Sequence, residues 1–207
     1  MPRPTPSTTT GSRPADRRVE RLVRGSHIFA SVVREVLETN LLRQLMPTPL
    51  TPSQFHLLKL MALDGQHQVG QVAGLLGVSP PAATKTVDKL ERLGLIVRAP
   101  SKGDRRATLL SVSLKGRRLI RRYEELKSRR LSEALRQFRS AQVESFSELL
   151  EHFALSLLGQ VPDAGRFCLR CAAYIASDCP VGAACGGCPY VAARRGANQH
   201  GTEAERE

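Results

Sequence analysis

The chain has 207 residues, a formal net charge of +12, aromatic residues at 4% and no tryptophan. That length fits one principal domain with appendages, and Leu, Val and Ala must fill its core. The basic excess points to a polyanionic partner, and the absence of a long apolar run excludes a helical membrane span.

Residues 1–16, rich in Pro, Ser and Thr at the start, are expected to form a disordered tail without a signal peptide. The alternative is an arm that carries Arg3 and Arg13 into a minor groove. From Arg17 to Met46, Leu22, Phe29, Val33, Val36, Leu41 and Leu45 recur in a loose three-or-four repeat. This predicts one long amphipathic helix, ended by Pro47 and Pro49. Thr51 or Ser53 caps a second helix through about Leu63, and Gln68 to Leu76 forms a short third one.

The stretch from Gly77 to Ser113 carries the most information. Ser79 is an N-cap with Pro80 in the first-turn position, and the helix it opens runs to Leu93. Ala83, Val87 and Leu90 form its buried stripe, which leaves Thr84, Lys85, Asp88, Lys89 and Arg92 on the other faces. Gly94 stops it. Two strands follow, Leu95 to Ala99 and Thr108 to Ser113, joined by a turn-rich tip holding Lys102, Asp104, Arg105 and Arg106. Helix, turn, helix and basic hairpin make a winged helix, so the expected fold is mainly α with a small β-hairpin wing.

Beyond the wing, Leu114 to Phe138 and Ala141 to Leu158 are predicted helical. In the second, Val143, Phe146, Leu150, Phe153 and Leu157 alternate steps of three and four, the seam of helix-on-helix packing. That seam either closes the monomer or pairs two chains.

Leu93-Gly94-Leu95-Ile96 followed by Asp104-Arg105-Arg106 resembles the MarR family of bacterial regulators over roughly Val19 to Gly159. The resemblance implies a transcription regulator, dimeric through its first and last helices, with a small-molecule effector pocket between the long first helix and the wing domain; a cytoplasmic location is expected from the lack of a secretory signal. Together with the composition on either side of it, the resemblance divides the chain into a disordered tail (1–16), a winged-helix domain with dimerisation helices at both ends (17–159), a cysteine-rich module (160–192) and a disordered polar tail (193–207). A twofold dimer places two recognition helices about 34 Å apart on a pseudo-palindromic double-stranded DNA operator.

Within that reading Ser79 and the first-turn amides meet a phosphate, and Thr84 and Lys85 reach base edges in the major groove. Lys89 or Arg92 lies nearer the backbone. Similar proteins often begin this helix with Ser or Thr donors, whereas this one has Pro80, Pro81 and Ala82. At the wing, Lys102 adds charge, Arg105 or Arg106 enters a narrow minor groove, and Asp104 orients an arginine. Between Ser79 and Arg130 there are 15 Lys and Arg against 5 Asp and Glu, so most of the net charge falls on this module.

All five cysteines lie in one short run, Cys168, Cys171, Cys179, Cys185 and Cys188. In a cytosolic chain, clustered thiolates hold metal more often than they form disulfides. Cys168, Cys171, Cys185 and Cys188 make a zinc-knuckle-like set. Cys168, Cys171, Cys179 and Cys188 suit an irregular cluster site, and Cys179-Pro180 and Cys188-Pro189 resemble iron-sulfur binding runs. An iron-sulfur cluster, a structural zinc and redox thiols without metal all remain open at this point.

The histidines are scattered, and no phosphate-cradling loop, paired-carboxylate signature or nucleophile elbow occurs, so no catalytic residue is expected. The predicted function is a sequence-specific repressor responsive to the state of its cysteines. The alternatives are a winged-helix coat protein for DNA, a protein-docking module with a structural zinc, and a thiol-dependent redox enzyme.

Overall fold

The computed structural model describes residues 14–64, 66–76, 78–100, 108–161 and 179–184. The first helical stretch is continuous from Pro14 to Leu45 but not uniform. It comprises α1 (Pro14–Val32), a π-helical segment (Val33–Thr39) and α2 (Asn40–Leu45). In the π-helical segment the Asn40 amide donates to the Glu35 carbonyl, one residue further back than in an α-helix. The Leu37 carbonyl accepts the Tyr123 hydroxyl at 2.7 Å, an external partner for a carbonyl in the widened turns. The wide turns shift the helical phase, which accounts for the loose apolar repeat read from the sequence. Leu41 and Leu42 are fully buried, while Leu22, Phe29 and Val36 stay exposed.

Thr51 opens α3 (Pro52–Asp64) with a reciprocal cap. Its hydroxyl accepts the Gln54 amide at 3.2 Å, and the Gln54 side chain accepts the Thr51 amide at 3.1 Å. This helix is the centre of the core. Phe55, Leu57, Leu58, Leu60 and Met61 are all buried, so it is covered all round rather than on one stripe. Buried with them, Lys59 pairs with Glu124, which also meets Lys127 at 2.6 Å. Burial pulls the Lys59 ammonium down to about 7, against the opposing pull of its Glu124 hydrogen bond. Burial pushes the Glu124 carboxyl up, but the two lysines outweigh it and hold the group below its usual range.

A short strand, β1 (Gln66–Gln68), leads into α4 (Val69–Leu76), and α5 (Pro80–Arg92) follows. Next come β2 (Ile96–Pro100) and β3 (Thr108–Val112), then α6 (Leu114–Leu135), α7 (Ser140–Leu158) and the short α8 (Pro180–Ala184). The sheet is antiparallel with order β1-β3-β2, and Gln66 pairs with Ser111 while Ile96 pairs with Val112. β1 is an element the sequence reading lacks. Gln-His-Gln has no strand propensity, and it forms because β3 offers it a backbone ladder.

Val72, Ala83, Val87, Leu90, Leu95, Ile96, Leu110 and Tyr123 complete the core around α3. Among the described residues no helix is long and apolar enough to cross a membrane. α7 buries none of its residues. Its predicted seam is half-buried at Val143 and Phe153 and exposed at Phe146, Leu150 and Leu157. Phe146 meets Phe29 of α1 edge to face, with ring centroids 5.9 Å apart.

Candidate nucleic-acid interface

The putting together of α5 follows from its ends. Ser79 is extended (φ −65°, ψ 151°), and its carbonyl accepts the Ala83 amide at 3.0 Å. Its hydroxyl makes no capping bond, contrary to what a serine at this position predicts. The physical reason lies next door, because Pro80 and Pro81 have no N–H and so remove the first two donors of the turn. The expected cradle of first-turn amides is correspondingly reduced to that of Ala82.

At the other end the chain closes in a Schellman turn. The Leu95 amide donates to Leu90 O at 2.9 Å and the Gly94 amide to Glu91 O at 2.7 Å, with Gly94 at φ +70°. Lys115 Nζ donates to Leu93 O at 2.8 Å and Ser113 Oγ to Gly94 O at 2.7 Å, so α6 caps the carbonyl end of α5. Gly94→Ala should cost about 1–2 kcal/mol of stability in a urea titration, because an L side chain is strained at this φ.

Ala83, Val87 and Leu90 are fully buried, as their spacing predicts, which fixes the rotation of α5 about its axis. Thr84 and Lys85 therefore face solvent. The Thr84 hydroxyl donates back to Pro80 O at 3.0 Å, leaving its oxygen available as an acceptor. Lys85 makes no ion pair or hydrogen bond among the described residues.

Lys89 is turned elsewhere. Its ammonium donates to Gln54 Oε1 at 2.9 Å and to Pro49 O at 3.5 Å, locking α5 to the capped start of α3. Of the two cations expected near the DNA backbone, Arg92 is the exposed one, its Nε directed at Asp88 O at 3.4 Å.

One residue that sequence reasoning missed joins the helix to the wing. Arg98 of β2 pairs with Asp88 and, at 3.3 Å, with Glu91, so its guanidinium spans two carboxylates one turn apart on α5. An acid pair at i and i+3 followed by an arginine in the next strand was the available signal. Lys102, Asp104, Arg105 and Arg106 lie outside the described residues, as do Cys168, Cys171, Cys185 and Cys188.

Cys179, the described member of the cysteine run, is half-buried before α8, and its sulfur accepts the Gly182 amide at 3.4 Å. Among the described residues no three of His, Cys, Asp or Glu gather as a metal site.

Comparison with known proteins agrees with this geometry. The MarR family model matches residues 50–108, from the residue before α3's cap through the first residue of β3. The HTH-type transcriptional regulator MhqR of Bacillus subtilis is 27% identical over 107 residues, covering 52% of this chain and 74% of that protein. Among solved structures, YusO of Bacillus subtilis superposes with a TM-score of 0.60 at 19% identity, covering 69% of this chain and 99% of its own. Streptococcus pneumoniae FabT, solved in complex with DNA, gives 0.53 at 22% identity, covering 68% of this chain and 96% of its own. The structural likenesses establish the fold, mainly helical with a small antiparallel wing sheet. The winged-helix segment of this chain, residues 50–108, is thus similar to the MarR family, and the regulator relatives and the solved structures are similar to it over a longer stretch.

Proposed function

We propose that the protein is a homodimeric, sequence-specific double-stranded DNA-binding transcription regulator that acts as a repressor. The observation that carries this reading is the presentation of α5. Its apolar stripe is buried, Thr84, Lys85 and Arg92 face outward, and Arg98 ties the wing strand beside it. A helix so exposed at its first turns has the dimensions of a major groove. Relatives with regulator names and FabT's complex with DNA support the same assignment. Repression follows mechanically where an operator overlaps a promoter, since the bound dimer excludes polymerase.

The dimer reading rests on α1 and α7, where Val19, Leu22, Ile28, Val32, Phe146 and Leu149 stay exposed. The cysteine run supplies the signal in this proposal, through an iron-sulfur cluster or zinc. The amide donated to the Cys179 sulfur fits a metal-bound thiolate, whose charge such bonds stabilise. With Cys179 as a ligand, Cys168, Cys171 and Cys188 would provide the other three and Cys185 would be spare, and the bound metal would couple folding of the run to redox or metal state.

Selection of duplexes from a random pool by the intact protein tests the main claim. Enrichment of one pseudo-palindrome is expected, and retention of DNA without enrichment would instead indicate a coat protein. On the selected site, Lys85→Ala should weaken binding by about 1–3 kcal/mol and relax preference at one base position, read by fluorescence anisotropy. Iron and sulfide content with a visible absorption band, or one colourless zinc per chain, decides the metal.

A further inference from the structure

The distribution of charge is not the one a recognition helix alone requires. On α5, Lys85, Lys89 and Arg92 stand against Asp88 and Glu91, and Lys89 is turned inward. Arg98 is matched by two carboxylates. Eight of the fifteen cations between Ser79 and Arg130 belong to α6.

The inner side of α6 is set by Gly116, Leu119 and Tyr123, which are buried. At about 100° per residue, Arg117, Arg118 and Arg121 fall on the opposite side and Arg122 on its flank. All four are exposed. Glu125 approaches Arg121 at 3.9 Å, whereas Arg117, Arg118 and Arg122 make no ion pair or hydrogen bond among the described residues. Arg129 continues the row two turns beyond Arg122. From Arg118 to Arg129 it runs about 16 Å along the axis, or about five base-pair steps of duplex.

The row also starts beside the recognition helix. The Ser113 and Lys115 side chains bond the carbonyls of Gly94 and Leu93, so the first turn of α6 abuts the C-terminal end of α5. A surface shaped for solubility intersperses both signs, and a guanidinium fork matches phosphate oxygens better than a point charge does.

We infer that the outer face of α6 is a second phosphate track, which holds duplex DNA flanking the segment met by α5. This rests on the DNA-binding reading above. Because Arg117, Arg118 and Arg122 are not engaged by acids among the described residues, docking on them breaks no ion pair, and each contact releases condensed counterions. The track reads no bases and adds affinity in proportion to the length of duplex that reaches it.

The test compares the intact protein with the fourfold variant Arg117→Gln, Arg118→Gln, Arg121→Gln, Arg122→Gln on generic duplexes of about 16 and about 60 base pairs. Glutamine keeps helix propensity, and circular dichroism with urea titration verifies the fold. On the long duplex the variant should bind at least tenfold more weakly at about 0.1 M salt. Its slope of log affinity against log salt should fall by about 3.6, near 0.9 for each of the lost contacts. On the short duplex the two proteins should agree within about twofold. An unchanged slope on the long duplex, or an equal loss on both lengths, overturns the inference. So does wild-type retention on anionic vesicles in preference to DNA. Failure of the DNA-binding reading itself has a different signature, wild-type protein that binds neither duplex.

Discussion

Gly116→Ala should lower the free energy of unfolding by about 3 kcal/mol and the melting temperature by on the order of 10 °C. The same change at an open helical position raises stability by about 1 kcal/mol, so the sign is the test. A Cβ on Gly116 would overlap the Leu95 carbonyl oxygen and lie 2.7 Å from Val112 Cγ1. The carbonyl cannot retreat, because it accepts the Ser113 amide at 3.0 Å and belongs to a residue with no exposed surface. Relief would require moving the first turn of α6 away from the junction of β2 and β3, and with it the caps that Ser113 and Lys115 place on α5. Gly25→Ala is the matched control, since nothing lies within 4 Å of a Cβ built there. Urea titration of both variants should give opposite signs, and a Gly116→Ala protein within about 0.5 kcal/mol of wild type would refute the close approach.

Gly116 also shows where sequence reading stops. The stripe of Ala83, Val87 and Leu90, the stop at Gly94 and a cap at either Thr51 or Ser53 were legible because each depends on residues within one or two turns. Glycine in the first turn of α6 carries no such local signature. Its role comes from the Leu95 carbonyl, twenty-one positions away in the chain. The same holds for β1, whose Gln-His-Gln becomes a strand through pairing with Leu109 to Ser111.

The recognition helix divides in the same way. Exposure of Lys85 followed from helical period, but the inward turn of Lys89 depends on Gln54 and Pro49, which the fold brings from the start of α3. Arg98 was legible only as a strand residue until β2 lay across the acids of α5. Ser79 misled because the N-cap preference concerns a hydroxyl and its nearby amide donors together, and Pro80 and Pro81 withdraw two of the latter. The lopsided charge was visible in the sequence, but its concentration on the outer face of α6 required the buried side of that helix to be known.

Phe146→Asp should abolish dimerisation at micromolar concentration while leaving the fold intact. Phe146 is 54% exposed and Phe29 43% exposed in the single chain, so the core around α3 does not depend on them. Both lie on helices that carry further exposed large apolar side chains, Leu22 and Ile28 on α1 and Leu149 and Leu157 on α7. So much exposed apolar surface on two neighbouring helices is covered most simply by its symmetry mate, and a carboxylate at its centre would have to be desolvated to form that contact. Sedimentation should then report a monomer with unchanged circular dichroism. DNA affinity on a two-half-site duplex should fall by about 100-fold or more, because linking two sites raises the effective concentration of the second to the millimolar range. On a single half-site the variant and wild type should bind alike. A Phe146→Asp protein that remains a dimer would place the interface elsewhere, and a monomer with undiminished operator affinity would show that each winged helix reads DNA alone.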